Sequence, residues 1–142
     1  MAMKTNPTPH EAAVRLTAEL RDRAGPNLRS VVLHGSVARG EAVPGVSDVN
    51  VLVLLESAGP DELRPIAPLA REWLENAGAP PLILTAAEWA RAADVFAIEV
   101  ADMKDAHELL FGPDPVAALD VRRNELRLQT ERELRGKLLQ LR

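Results

Sequence analysis

Two apolar runs frame the residues of this sequence that can do chemistry. The first ends Val31-Val32-Leu33-His34-Gly35-Ser36 and is followed one helical turn later by Arg39. The second is entered through Ser47-Asp48-Val49-Asn50 and continues Val51-Leu52-Val53. A strand that ends in Gly-Ser and turns into a short helix brings backbone N–H groups and a hydroxyl together on an anion. Gly35 lets the backbone come close to a phosphate, and Arg39 adds a positive charge. In an extended chain Asp48 and Asn50, two apart, project to the same face, with Val49 and Val51 turned to the core. A carboxylate and an amide side by side, next to a phosphate-cradling turn, make half of a magnesium site. Gly-Ser alone or Asp-x-Asn alone is a common turn or loop ending. Their order and spacing between two apolar runs carry the reading.

These residues must be held by the elements around them. Thr8-Pro9-His10-Glu11 predicts a helix start with a capping box, and Gly25-Pro26 ends that helix. Strands are predicted over Leu28–His34 and Val49–Leu55, where the residues are apolar and the flanks carry turn signals. A helix follows from Gly59-Pro60-Asp61 to about Ala77, irregular at its start because Pro65 and Pro68 fall there. Leu82-Ile83-Leu84 predicts a strand, and Thr85…Glu88 a second capping box. Trp73 and Trp89 sit among apolar helix residues and are expected in the packing. Val95–Ala101 reads as a strand, and Asp105–Phe111 as a helix stopped by Gly112-Pro113. Apolar residues three or four apart from Pro115 to Arg142 predict a C-terminal amphipathic helix. The expected fold class is α/β (α+β): a small mixed sheet with helices packed on one side, divided into residues 1–112 and 113–142. The second part reads as the start of a longer helical tail. Its apolar stripe suits a helical partner or a second copy of the chain.

Composition narrows the chemistry. The 142 residues are 46% hydrophobic and 27% charged, with a net charge of −4, which suits one globular domain. No stretch approaches the roughly 18–20 apolar residues of a membrane span. The start, Met1-Ala-Met-Lys-Thr-Asn-Pro, lacks the layout of a secretory signal, so a cytoplasmic protein is expected, with no membrane partner. The absence of cysteine excludes disulfides, thiol nucleophiles and thiolate metal sites. Three scattered histidines leave a hard cation held by oxygen donors, Mg2+ or Mn2+, as the expected metal. With no tyrosine and two phenylalanines, the stacking surface of a single-strand nucleic-acid binder is missing. Basic residues are concentrated after Arg122, behind an acidic body, which reads first as a solvated helix face.

The words HGSVARG…SDVNVLV resemble the DNA polymerase beta-like nucleotidyltransferase superfamily, and especially its small bacterial members. The resemblance is specific over residues 30–55 and weaker over 94–112. It implies an enzyme that moves a nucleoside monophosphate from an NTP, most simply ATP, to an acceptor hydroxyl. By the same resemblance Gly35 and Ser36 hold the triphosphate, with Arg39 beside them, and Asp48 is the first metal ligand. A third acid, which activates the acceptor, falls on the predicted strand Val95–Ala101. Glu99 is the choice and Asp102 the competitor. The metal set is then Asp48, Asn50 and Glu99, with catalysis assigned to Asp48 and Glu99. Asn50 stands where the family has its second carboxylate, and an amide binds a hard cation without offsetting its charge. That departure leaves open a catalytically silent, nucleotide-binding or antitoxin-like interaction module. The acceptor can be a small molecule, a tRNA end or a protein hydroxyl.

Overall fold

The computed structural model describes residues 7–40, 49–77 and 79–119. Helix α1 (Pro9–Ala24) comes first, closed at its start by the expected reciprocal box. The Glu11 amide donates to the Thr8 hydroxyl at 3.1 Å, and the Thr8 amide donates to the Glu11 carboxylate at 3.1 Å. Two of the orphan N–H groups of the first turn are thereby satisfied. A 3-10 turn (Gly25–Asn27) leads into β1 (Leu28–His34), the one-turn helix α2 (Ser36–Arg39) follows, and β2 (Asn50–Leu55) runs antiparallel to β1. Helices α3 (Pro60–Leu63) and α4 (Ala67–Ala77) then carry the chain back, so that β3 (Leu82–Thr85) lies parallel to β2. A parallel neighbour requires such a crossover. Helices α5 (Ala86–Ala90), α6 (Ala92–Val95) and α7 (Ala97–Asp105) precede β4 (His107–Phe111), which pairs antiparallel with β1. The sheet order is β3-β2-β1-β4.

The class, a mixed α/β fold on a small mixed sheet, is the expected one. The layering is not. Val31, Leu33, Val51 and Val53 pack on one face against Leu16 and Leu20 of α1 and Leu69 and Trp73 of α4. Val32, Leu52 and Leu54 pack on the other against Trp89, Ala92, Val100, Met103 and Val116. Helices therefore cover both faces instead of one. The physical reason lies in β1 and β2, whose residues are apolar at both parities, as strands buried on two faces must be.

Two further expectations are corrected. Residues 97–105 form α7 and not a strand, because the buried positions Ala97, Val100 and Met103 recur every third residue. His107–Phe111 is a strand and not a helix: its backbone pairs with the open edge of β1, and this pairing overrides the helix preference of Glu108-Leu109-Leu110. The helix spanning 60–77 is divided by residues 64–66, in the proline-bearing stretch expected to be irregular.

After Gly112 the chain crosses the second face as a turn and not as the helix expected from Pro115. The Ser30 hydroxyl donates to the Pro113 carbonyl at 2.6 Å, and the Trp89 indole N–H donates to the Pro115 carbonyl at 3.0 Å. Val116 is fully buried there. The remainder of the expected C-terminal helix, 120–142, lies outside the described residues. Among those described, no helix is long and apolar enough to cross a membrane.

Candidate functional site

The chemistry-bearing residues gather at the end of β1, and the sheet register explains how. His34 is opposite Asn50 of β2 on one side and opposite His107 of β4 on the other. Directly opposed residues on one sheet face have their Cβ atoms about 4.5–5.5 Å apart. The three polar residues thus form a row that continues the apolar face under α7. Beyond His34 the chain turns at Gly35, with φ 82° and ψ −154°, a conformation essentially restricted to glycine. A Cβ at this position would lie 2.7 Å from the Asn50 amide nitrogen, so the Asn50 side chain lies against the Gly35 backbone. Ser36 opens α2, and the Arg39 backbone N–H donates to the Gly35 carbonyl at 3.2 Å.

Arg39 reaches from the end of α2 to α7, where its Nη2 pairs with Asp102 Oδ1. The glutamate chosen as third acid, Glu99, is in the first turn of α7. Residues three apart are neighbours on a helix surface, so Glu99 stands one turn ahead of Asp102. The structure brings together Gly35, Asn50, Arg39 and Asp102. Asp48 lies outside the described residues. Among the described residues no group of three or more histidines and acids is assembled closely enough to hold a metal.

The electrostatics of the row are uneven. Burial pushes the His34 imidazole below its ordinary value of 6.5, and the Asp102 carboxylate offsets only part of that. His107 is engaged at both nitrogens, Nδ1 at 2.7 Å from the Met103 carbonyl and Nε2 at 2.8 Å from Asp114 Oδ2. Burial pushes the Asp114 carboxyl up. The hydrogen bond from His107 and those from the Ala117 and Val116 amides together outweigh it and hold the group below its ordinary value. Sequence reasoning missed the His107–Asp114 pair, whose only signal was an aspartate set in a Gly-Pro turn.

Both shifts have the same sign for stability. The native forms of His34 and Asp114 take up protons less readily than the unfolded chain, so stability is full above the unfolded values and is lost as pH falls. The loss begins below about 6.5, through His34, and continues below the ordinary carboxyl range, through Asp114. The melting temperature is expected to drop between pH 7 and pH 5 in the parent and to be flatter over that interval in His34→Gln. Equal slopes in the two proteins would remove His34 as the cause.

The site is placed by these polar groups and not by concavity alone. A groove of about 410 Å³ lies between α1 and α4, lined largely by Pro9, Ala12, Leu16, Leu69 and Trp73. It contains none of the polar residues gathered at the end of β1.

Comparison with known proteins identifies the family and the fold. The nucleotidyltransferase domain family matches residues 15–115. A chain of a toxin–antitoxin complex crystallised with AMP-PNP superposes with a TM-score of 0.53 at 17% identity, over 89% of this chain and 98% of the other. Spectinomycin adenyltransferase AAD(9) from Enterococcus faecialis, with ATP and spectinomycin, gives a TM-score of 0.62 at 14% identity, over 83% of this chain and 62% of that one. A chain of the tri-AMPylated Shewanella oneidensis HEPN toxin in complex with MNT antitoxin gives 0.51 at 17% identity, over 94% and 99%. Among curated proteins no sequence matches. At these identities the solved structures establish the shared fold.

Proposed function

The chain belongs to the nucleotidyltransferase domain family, and from that premise we propose that it transfers a nucleoside monophosphate from an NTP, most simply ATP, to an acceptor hydroxyl. The observation that carries the reading is the Gly35 turn, with Asn50 laid against it and Arg39 one helical turn beyond. Backbone N–H groups at Gly35 and Ser36 and the Ser36 hydroxyl donate to the triphosphate, and Arg39 neutralises part of its charge. Asp48, Asn50 and Glu99 offer oxygen donors only, which fits a hard cation. They would hold Mg2+ or Mn2+ delivered with the nucleotide, which when bound supplies further charge neutralisation at the phosphates. Glu99 takes the proton of the acceptor hydroxyl, and Asp102 is its alternative on the same helix. The acceptor oxygen bonds to the α-phosphorus as the bond to the bridging oxygen breaks, and pyrophosphate leaves. Rate enhancement comes from positioning and neutralisation, as in phosphoryl transfer generally.

A second reading is favoured by a specific residue. Asn50, in place of the family's second carboxylate, removes one negative charge from the metal set, and two of the matching folds come from toxin–antitoxin complexes. A module that binds nucleotide without turnover and acts through a protein partner accounts for this reading of Asn50 and for those two likenesses. The acceptor of the enzymatic reading, whether small molecule, tRNA or protein, is recognised by residues other than those of the nucleotide site. The two readings separate in one assay. ATP binding and pyrophosphate release are measured with Mg2+ and with Mn2+ for the parent and Asn50→Asp. Turnover by the parent supports the enzyme. Binding without turnover in the parent, with turnover gained in Asn50→Asp, supports the silent module. A folded protein without nucleotide affinity in either form overturns both.

A further inference from the structure

We propose that Asp102 is the positioning residue for Arg39, holding its guanidinium beside the Gly35–Ser36 turn so that the nucleotide's β- and γ-phosphates meet an oriented cation. The inference deepens the proposed nucleotide site and rests on it.

Four observations carry it. First, Arg39 ends a helix of one turn, so its backbone is fixed to Gly35 while its long side chain reaches beyond that element. An arginine whose guanidinium is already held in an ion pair loses less rotamer entropy when it engages a ligand. Second, Asp102 is borne by α7, which is seated on the sheet through Val100 and Met103. The carboxylate that receives the guanidinium is thus attached to a fixed element. Third, the pair is too exposed to matter much for stability: the side chains are 32% and 54% exposed. Exposed ion pairs contribute little to folding, so the consequence of this one is orientation. Fourth, the Asp102 carboxylate acts electrostatically on His34, the residue that precedes Gly35.

The chemistry of the two groups favours this role over proton transfer at Asp102. A guanidinium presents five donors in a planar fork, so one edge can hold a carboxylate while another meets a phosphate. A carboxylate engaged with a guanidinium has lone pairs committed to it, and Glu99, one turn earlier on the same helix, is left for the proton.

The test is equilibrium binding of ATP and of AMP to the parent, Arg39→Ala, Asp102→Asn and the double variant, each checked for an unchanged melting temperature. Asp102→Asn keeps the shape and removes the charge. Loss of one charge-assisted contact is worth about tenfold in affinity. Arg39→Ala and Asp102→Asn are each expected to weaken ATP about tenfold, the double variant no further, and AMP, which lacks the outer phosphates, not at all. The proposal is overturned if Asp102→Asn leaves ATP affinity unchanged or raises it, if the two losses multiply, or if AMP is weakened equally. Absence of ATP binding in the parent overturns the nucleotide site itself and this proposal with it, a result distinct from normal parent binding with an indifferent Asp102→Asn.

Discussion

Gly112→Ala is expected to lower the folding stability by about 3 kcal/mol, a fall of roughly 10 °C in melting temperature for a chain of this size. Gly112 follows β4 with φ +78°, and a Cβ built there meets the Arg29 carbonyl oxygen at 1.9 Å and its carbon at 3.0 Å. Positive φ alone costs a residue with a side chain about 1–2 kcal/mol. The obstacle is backbone and not a side chain that can turn aside. Arg29 belongs to β1, which is held between β2 and β4, so relief has to come from moving the Gly112–Leu119 segment. That segment is bonded to Ser30, Trp89 and His107 and buries Val116, so its displacement disturbs the second face of the core. Urea unfolding measures the effect. A loss under about 1 kcal/mol, the size of an ordinary point substitution, would show that the segment is not anchored as described.

Asp48→Ala is expected to slow nucleotidyl transfer by about 10²–10³, the usual consequence of removing one preorganised stabiliser of developing charge. The effect is electrostatic. In the proposed cation set Asn50 would contribute a neutral carbonyl, so Asp48 would be the anionic donor of the Asp48–Asn50 pair. Without that carboxylate the pair would carry no negative charge to offset the cation's. The triphosphate contacts proposed for Gly35, Ser36 and Arg39 would be untouched, so ATP affinity should change much less than the rate. Single-turnover pyrophosphate release, set beside equilibrium ATP binding, separates the two. Retention of the parental rate within about twofold, far inside the range expected for a lost stabiliser, would remove Asp48 from the reaction.

What is legible in the residues alone follows the range of the forces involved. Both capping boxes are legible because the reciprocal bonds join residues three apart. Strands β1 and β2 are legible because long apolar runs with turn signals have few other uses. The two-sided cover of the sheet is also encoded, in the apolar residues at both parities of those runs, but it shows only when the two parities are followed separately. Residues 95–111 read in the reverse order of what they form. Val95, Ile98 and Val100 suggest a strand by their branching, while the burial that decides the matter follows Ala97, Val100 and Met103. The neighbouring strand of β4 lies far earlier in the chain, so no local pattern announces it. The same holds within the site. The approach of Gly35 to Asn50 follows from two adjacent strands, whereas Arg39 and Asp102, 63 positions apart, meet only once α7 is seated on the sheet.

Among the described residues a helical layer covers each broad side of the sheet, and the strand backbones are left open along the rims. One rim is β3, where Leu82 is exposed, and the other is β4, where Glu108 and Leu109 are. A second chain that pairs with this sheet would therefore add as a strand beside β3 or β4.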